Sequence, residues 1–215
     1  MNPMKKHVYF FFNIMFLAAL SGCSRSDPEM LKYYKVYNRS ITRGSDIGSV
    51  HLNDRISGGL AWIKGKKFTY GTIEFDVKGK DKFSASFVGI AFHGVDDTTY
   101  EVVYFRPFNF RVPAPERKEH AVQYIALPEF DWSVLRADHP GVYEQPVSPA
   151  PDPNSWFHVR IKVASKNISV YVNGAQSPSL CIEPLVHTQG EMIGYWVGAT
   201  SAGDWKNLEI ISSKQ

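Results

Sequence analysis

From about Val50 onward the chain runs as a series of short segments in which apolar and polar residues alternate one by one, broken at Gly, Asn, Asp and Lys-Gly turns. No stretch carries the apolar spacing of an amphipathic helix of useful length. Successive strand residues point to opposite faces, so this alternation is what an antiparallel sheet with one wet face requires. The segment KFTYGTIEFDVKG sets Ile73, Phe75 and Val77 on one face and Glu74, Asp76 and Lys78 on the other. Residues 157–163 place Phe157, Val159, Ile161 and Val163 inward and His158, Arg160 and Lys162 outward. After the Ser165-Lys166-Asn167 turn comes a strand over 168–172, and Asn173-Gly174, a pair suited to positive φ, closes the next turn. Further strands are predicted at 59–63, 85–93, 99–106, 120–126, 191–198 and 205–212. With no helices to cover a parallel sheet, the pattern predicts an all-β fold: two antiparallel sheets packed face to face as a sandwich. Trp205, Leu208 and Ile210 are expected in its core or at the core's rim. Residues 107–154 break the pattern. They hold nine of the thirteen prolines and one clear strand, HAVQYIAL, so the rest is expected to run as long surface loops.

The first 22 residues follow another logic: Lys5 and Lys6, then a 13-residue apolar run from Val8 to Leu20, then Ser21-Gly22. That is the three-part plan of a secretory signal, and the run falls short of the roughly 20 residues a membrane-spanning helix needs. Leu20-Ser21-Gly22-Cys23 resembles the lipobox of bacterial lipoproteins, which implies cleavage before Cys23 and a diacylglycerol on its sulfur. The predicted organisation is therefore a signal peptide over 1–22, a lipidated Cys23 with a polar tether over 23–44, and one sandwich domain over 45–215. Ser24, where an inner-membrane retention signal would place aspartate, implies an outer-membrane address in a bacterial envelope. The alternative is an ordinary signal, with Cys23 free to pair with Cys181. Lying between Leu180 and Ile182, Cys181 is expected to be a buried core residue.

Composition excludes several classes. With 44% hydrophobic and 21% charged residues the chain is neither disordered nor a disulfide scaffold. Without Lys5 and Lys6 it carries 22 basic against 21 acidic side chains, with no concentrated basic face, so no nucleic-acid partner is expected. No Cys- or His-rich spacing suggests zinc, and no loop is dense enough in Asp and Asn to predict calcium. No metal or cofactor is expected.

The runs YGTIEFDVKG, FHVRIKVASKNISVYVNG and GEMIGYWVGATSAGDWKNLEI resemble, in that order, strands of concanavalin A-like lectin/glucanase domains, notably the laminin-G-like branch and the bacterial 3-keto-disaccharide hydrolase family. The likeness spans residues 45–213 and implies the jelly roll; the same fold hosts lectins, glycoside hydrolases, lyases and adhesion modules. The glucanases of this fold carry a Glu-x-Asp-x-x-Glu strand motif. Here Glu74 and Asp76 are followed by Lys78-Gly79 without the third acid, which tells against that mechanism and leaves the pair readable as a solvated strand face.

The more suggestive stretch is 89–136. On the strand over 99–106, Tyr100, Val102, Tyr104 and Arg106 share one face, supplying flat rings for sugar C–H faces and a fork of donors for hydroxyls or a carboxylate. Arg106, Asn109, Arg111, Gln123, Glu129, Trp132 and Arg136 gather on or beside the loops edging this sheet. The expected contact surface for an oligo- or polysaccharide on the concave sheet comprises Tyr104, Arg106, Asn109, Arg111, Gln123, Trp132, Arg136 and Trp196. The arginines leave open an anionic glycan. The competing reading makes Phe105, Phe108 and Phe110 core, the arginines loop ties and Trp132 a loop anchor. If the protein is an enzyme it is expected to be a glycoside hydrolase or lyase, with Glu101, Glu129 or His93 as acid or base. His93 with Asp96-Asp97 reads either as a small site or as a turn whose aspartates cap their own backbone. A non-catalytic adhesion module binding another envelope protein is the third class.

Overall fold

The computed structural model describes residues 25–186 and 190–213. They form two seven-stranded antiparallel sheets. Numbering strands along the chain, the first sheet runs β1 (Tyr34–Tyr37), β4 (Gly59–Ile63), β13 (Met192–Val197), β6 (Val88–Gly94), β7 (Tyr100–Phe105), β8 (Val122–Leu127), β9 (Glu144–Gln145). The second runs β12 (Leu180–Ile182), β11 (Ile168–Val172), β10 (Phe157–Val163), β5 (Gly71–Lys78), β14 (Gly203–Ser212), β3 (Val50–Leu52), β2 (Ile41–Arg43). This is the two-sheet sandwich that the alternation predicts, and the jelly roll that the resemblance implies.

The second sheet obeys the simple rule. In β10 Phe157, Val159, Ile161 and Val163 are buried while His158 and Arg160 are half-buried and Lys162 is exposed. β5 buries Ile73, Phe75 and Val77 likewise. Asn173 and Gly174 both adopt positive φ, as that turn demands. Between the sheets Trp205 stacks on Tyr195 at 5.1 Å and donates to the carbonyl of Gly89 at 3.1 Å, tying β14 to the opposite sheet. Phe105, Phe110 and Phe157 pack edge to face, so the core reading of Phe105 and Phe110 holds. Leu208 and Ile210 pack partly buried against this core.

The first sheet departs from it. Every residue of β6 and β7 is buried, because the outer face of these strands is covered as well as the inner. Much of the cover is the proline-rich stretch, which folds into a 3-10 turn (Pro107–Asn109) and two short helices, α2 (Pro115–Lys118) and α3 (Trp132–Asp138), following α1 (Met30–Tyr33).

Two expectations need correction. The tether over 23–44 is too long: β1 and β2 already belong to the two sheets, and the backbone N–H of Asp27 donates to the carbonyl of Ile41. These strands are four and three residues long and rich in tyrosine and basic residues, so their alternation passes for a polar linker. Cys181, expected in the core, is exposed. In β12 its neighbours Leu180 and Ile182 take the inward positions, and alternation sends Cys181 out. The signal segment and Cys23 lie outside the described residues.

Candidate functional site

Across the first sheet, Tyr37, Leu60, Trp196, Gly89, Tyr104, Gln123 and Glu144 stand opposite one another from strand to strand. Opposed residues of antiparallel strands project to one face. Tyr195 is turned inward onto Trp205, so Trp196 and its whole row face outward. At the centre of the row Gly89 has no side chain. The rings of Trp196 and Tyr104 meet over the gap, 4.9 Å apart and tilted by 39°. A Cβ on Gly89 would lie 2.6 Å from the Tyr104 Cα. Gly in a strand interior marks such close approach.

These rings floor a cavity of about 860 Å³. Tyr37 and Trp132 stand at its rim with 43% and 45% of their surface exposed, while Tyr100, Ile125 and Leu127 continue the floor and Phe83, Phe87 and Phe108 make one wall. Phe108 is thus a wall of the cavity as well as a packing residue. Trp132 is held on α3, whose first N–H is capped by the Asp131 carboxylate at 2.7 Å. One turn on, the Arg136 guanidinium lies over the Trp132 ring at 5.1 Å and grips Glu144 of β9 through two hydrogen bonds of 2.7 and 2.6 Å. This fork fixes the helix, and with it Trp132, against the sheet edge.

Tyr104 of the floor belongs to a buried polar network in which the Gln123 side-chain nitrogen has no partner. Arg106 donates to the Tyr104 hydroxyl at 2.7 Å, to the Gln123 side-chain oxygen, and to the carbonyl of His120 at 2.9 Å. Tyr104 donates to Gln123 at 2.8 Å. Burial lowers the Arg106 guanidinium below its ordinary value and pushes the Tyr104 phenol up. Burial also pushes the Glu144 carboxyl up, but the Arg136 fork, helped by His120 and Arg106, outweighs it and holds the group below the usual carboxylate range. At neutral pH the network therefore carries charged Arg106, Arg136 and Glu144 and a neutral Tyr104, with the charges facing one another.

Of the residues singled out from sequence, Tyr104, Arg106, Asn109, Trp132, Arg136 and Trp196 line the cavity, and Gln123 lies just under it. Arg111 does not: it is exposed and turned to Ala150 and Asp152. The candidate acids and base fare differently. Glu101 and His93 do meet, Nδ1 to Oε1 at 2.7 Å, and the Tyr124 hydroxyl donates to the other Glu101 oxygen at 2.6 Å. They meet on the core side of the sheet. Glu101 alternates inward with Val103, and a register shift opposite β13, with a left-handed backbone at His93, turns the imidazole to it. Neither residue lines the cavity, which overturns their use as an acid and base acting there. Glu129 is exposed in the turn between β8 and α3. Asp96 caps its own turn, accepting from Thr98 and Thr99, and Asp97 accepts from the Trp62 indole and from Lys35, so the aspartates form no site with His93. Glu74 and Asp76 lie on the outer face of the other sheet, Asp76 bound by His158 and Asn207. Among the described residues no group of three or more His, Cys, Asp or Glu is placed to hold a metal ion.

The sequence reading missed Tyr37, Phe83, Phe87, Arg117, Asp131 and Glu144. Gly89, alone between Val88 and Ile90, is the sequence signal that two large side chains converge there.

No protein-family model and no curated protein sequence matches the chain. Solved structures do. A carbohydrate-binding module, CBM66 of Bacillus subtilis, superposes with a TM-score of 0.57 at 12% identity, covering 81% of this chain and 92% of that one. A Bacillus subtilis protein of unknown function with a galectin-like fold follows at 0.54 and 14% identity, with 85% and 90% covered. The exoplasmic/lumenal domain of VIP36, in a form bound to calcium and mannose, gives 0.51 at 10% identity, with 85% of each chain covered. The fold is a galectin-like, concanavalin A-like β-sandwich. Identities this low establish the fold alone.

Proposed function

We propose that the protein is an envelope-anchored carbohydrate-binding protein that takes a neutral glycan into the cavity on the outer face of the first sheet. The observation that carries this is the aromatic floor of Trp196 and Tyr104, flanked by half-exposed Trp132. Flat rings stack on sugar C–H faces, and an exposed aromatic beside a preformed cavity of this size marks a small-ligand site. That CBM66 is a carbohydrate-binding module, and that the VIP36 domain was captured with mannose, agree with it.

The electrostatics favour a neutral ligand over a uronic or sulfated one. Arg106 and Arg136 are spent on Tyr104, Gln123, the His120 carbonyl and Glu144, and Arg117 donates to Asn109 and the Phe108 carbonyl. The carboxyls favour binding over cleavage. Glu101 is sealed in the core, Glu144 is gripped by Arg136, Asp97 by Lys35 and Trp62, and Asp131 caps α3, so among the described residues a pair free to act as acid and base is lacking at the floor. A concave site also suits a sugar better than the flat patch an adhesion module would present.

Anchoring rests on the Leu20-to-Cys23 motif. A lipid on Cys23 is the anchor this motif implies, with the outer membrane as the address. Titration of the purified domain with a panel of neutral and acidic oligosaccharides, followed by tryptophan fluorescence, tests the site: saturable binding of a neutral member, lost in Trp132→Ala, is expected, and binding confined to acidic members overturns the neutral assignment. Cys23→Ser should release the protein from membranes, and unchanged membrane association overturns lipidation.

A further inference from the structure

The cavity is two-sided in its chemistry. At one end the Trp196–Tyr104 floor is bordered by polar groups, with Asp97, Thr98 and Asp131 among the lining residues. The other end is a corner of phenyl rings. Phe87 packs edge-on to Tyr104 at 6.2 Å, Phe108 edge-on to Phe87 at 5.5 Å, and Phe83 edge-on to Phe108 at 5.6 Å. The run starts at the floor and ends on Phe83, 68% exposed, with the Arg117 guanidinium 4.6 Å from its ring.

A sugar ring pushed into this corner would strip water from its hydroxyls against carbon faces, which is costly without replacement hydrogen bonds. Arg117 and Asn109 bond to each other and to the Phe108 and His120 carbonyls, and Arg106, over the Phe87 ring at 5.7 Å, is held by Tyr104, Gln123 and the His120 carbonyl. An aryl group loses nothing there and gains edge-to-face partners. Phe83 stays 68% exposed although it packs on Phe108 and Arg117, and an exposed ring continuous with a cavity wall is what an apolar subsite leaves uncovered when empty. Resting on the carbohydrate reading above, we propose that the Phe83–Phe87–Phe108 corner is a subsite for an aromatic substituent carried by the bound sugar.

The test compares, by isothermal titration with the whole domain, methyl glycosides of glucose, mannose and galactose with their 4-nitrophenyl glycosides and with 6-O-benzoyl methyl glycosides; the last two arms separate an aryl aglycone from an aromatic ester. At least one aryl arm should bind about tenfold tighter than its methyl parent, an advantage of the size one well-packed ring supplies. Phe83→Ala, a change at an exposed position, should cut that advantage at least threefold, read as the ratio of aryl to methyl affinity so that any general effect on the cavity cancels. Phe108→Leu, close in volume, should act in the same direction. Equal affinity for methyl and aryl forms overturns this proposal alone. So does an aryl advantage that survives both variants, or free 4-nitrophenol binding as tightly as its glycoside. Absence of binding by every member overturns this proposal, while the carbohydrate reading falls only if the oligosaccharide panel also fails to bind.

Discussion

Trp196 and Tyr104 are not on neighbouring strands: β6 runs between β13 and β7, and their rings meet at 4.9 Å because the residue between them is Gly89. A missing side chain at the middle of the sheet thus lets two large rings on its outer face meet. Gly89→Ala should destabilise the fold by about 1–3 kcal/mol through overpacking against β7, since the added methyl meets backbone on that side. It should also spread the two rings, so glycan affinity is expected to fall in a variant that remains folded by circular dichroism. Unchanged melting and affinity would mean the rings do not need the gap.

Trp132 is expected to act on binding almost alone. It is half exposed, so Trp132→Ala should cost under about 1 kcal/mol in a denaturant titration while glycan affinity drops about tenfold or more. Equal losses in both measurements would make it a loop anchor instead.

The Arg136–Glu144 fork should hold α3 in place. Arg136→Ala leaves Glu144, 3% exposed, without its main partner, a change expected to cost about 3 kcal/mol. Glu144 has its pKa lowered from an ordinary 4.5, so the stability from this pair is present above about pH 4.5 and lost as pH falls through the depressed value. Acid unfolding of Glu144→Gln should be correspondingly shallower than that of the parent, which parallel pH titrations of the melting temperature will show.

His93 gives the opposite slope. Burial alone would lower the imidazole pKa, but the Glu101 carboxylate and the Thr69 carbonyl more than offset it and raise the group above 6.5. Its contribution to stability is therefore fully present below about pH 6.5 and lost as pH rises through the raised value. Parent protein should melt at lower temperature as pH climbs through that range, and His93→Gln should flatten the dependence. Because the group lies on the core side of the sheet, glycan affinity measured where both proteins are folded should not change.

In the second sheet β5, β10 and β11 were readable residue by residue, since each buries one face and wets the other, whereas β2 passed for tether and Cys181 of β12 for core. The first sheet was readable only as strands. Where both faces are covered, as in β6 and β7, alternation no longer says which side is core, and Glu101 and Tyr104 looked equally available although one is sealed against His93 and Tyr124 and the other floors a cavity. Trp132 and Arg136 stood out by type, yet the helix that sets them one turn apart is only seven residues long and lies among prolines.

What the amino-acid sequence determined by itself was the class of fold, because period-two patterning is a local property that each strand carries whether or not its partners are in place. It also marked the aromatic and guanidinium groups from which a sugar site could be made. Only the tertiary structure decided which of them face one space. Tyr37, Gly89, Tyr104, Glu144 and Trp196 are scattered along the chain, and they fall into one row because strand pairing sets β1, β6, β7, β9 and β13 side by side. Strand order and register depend on long-range pairing that no local pattern encodes, and that order is what separates the buried acid Glu101 from the open ring of Trp132.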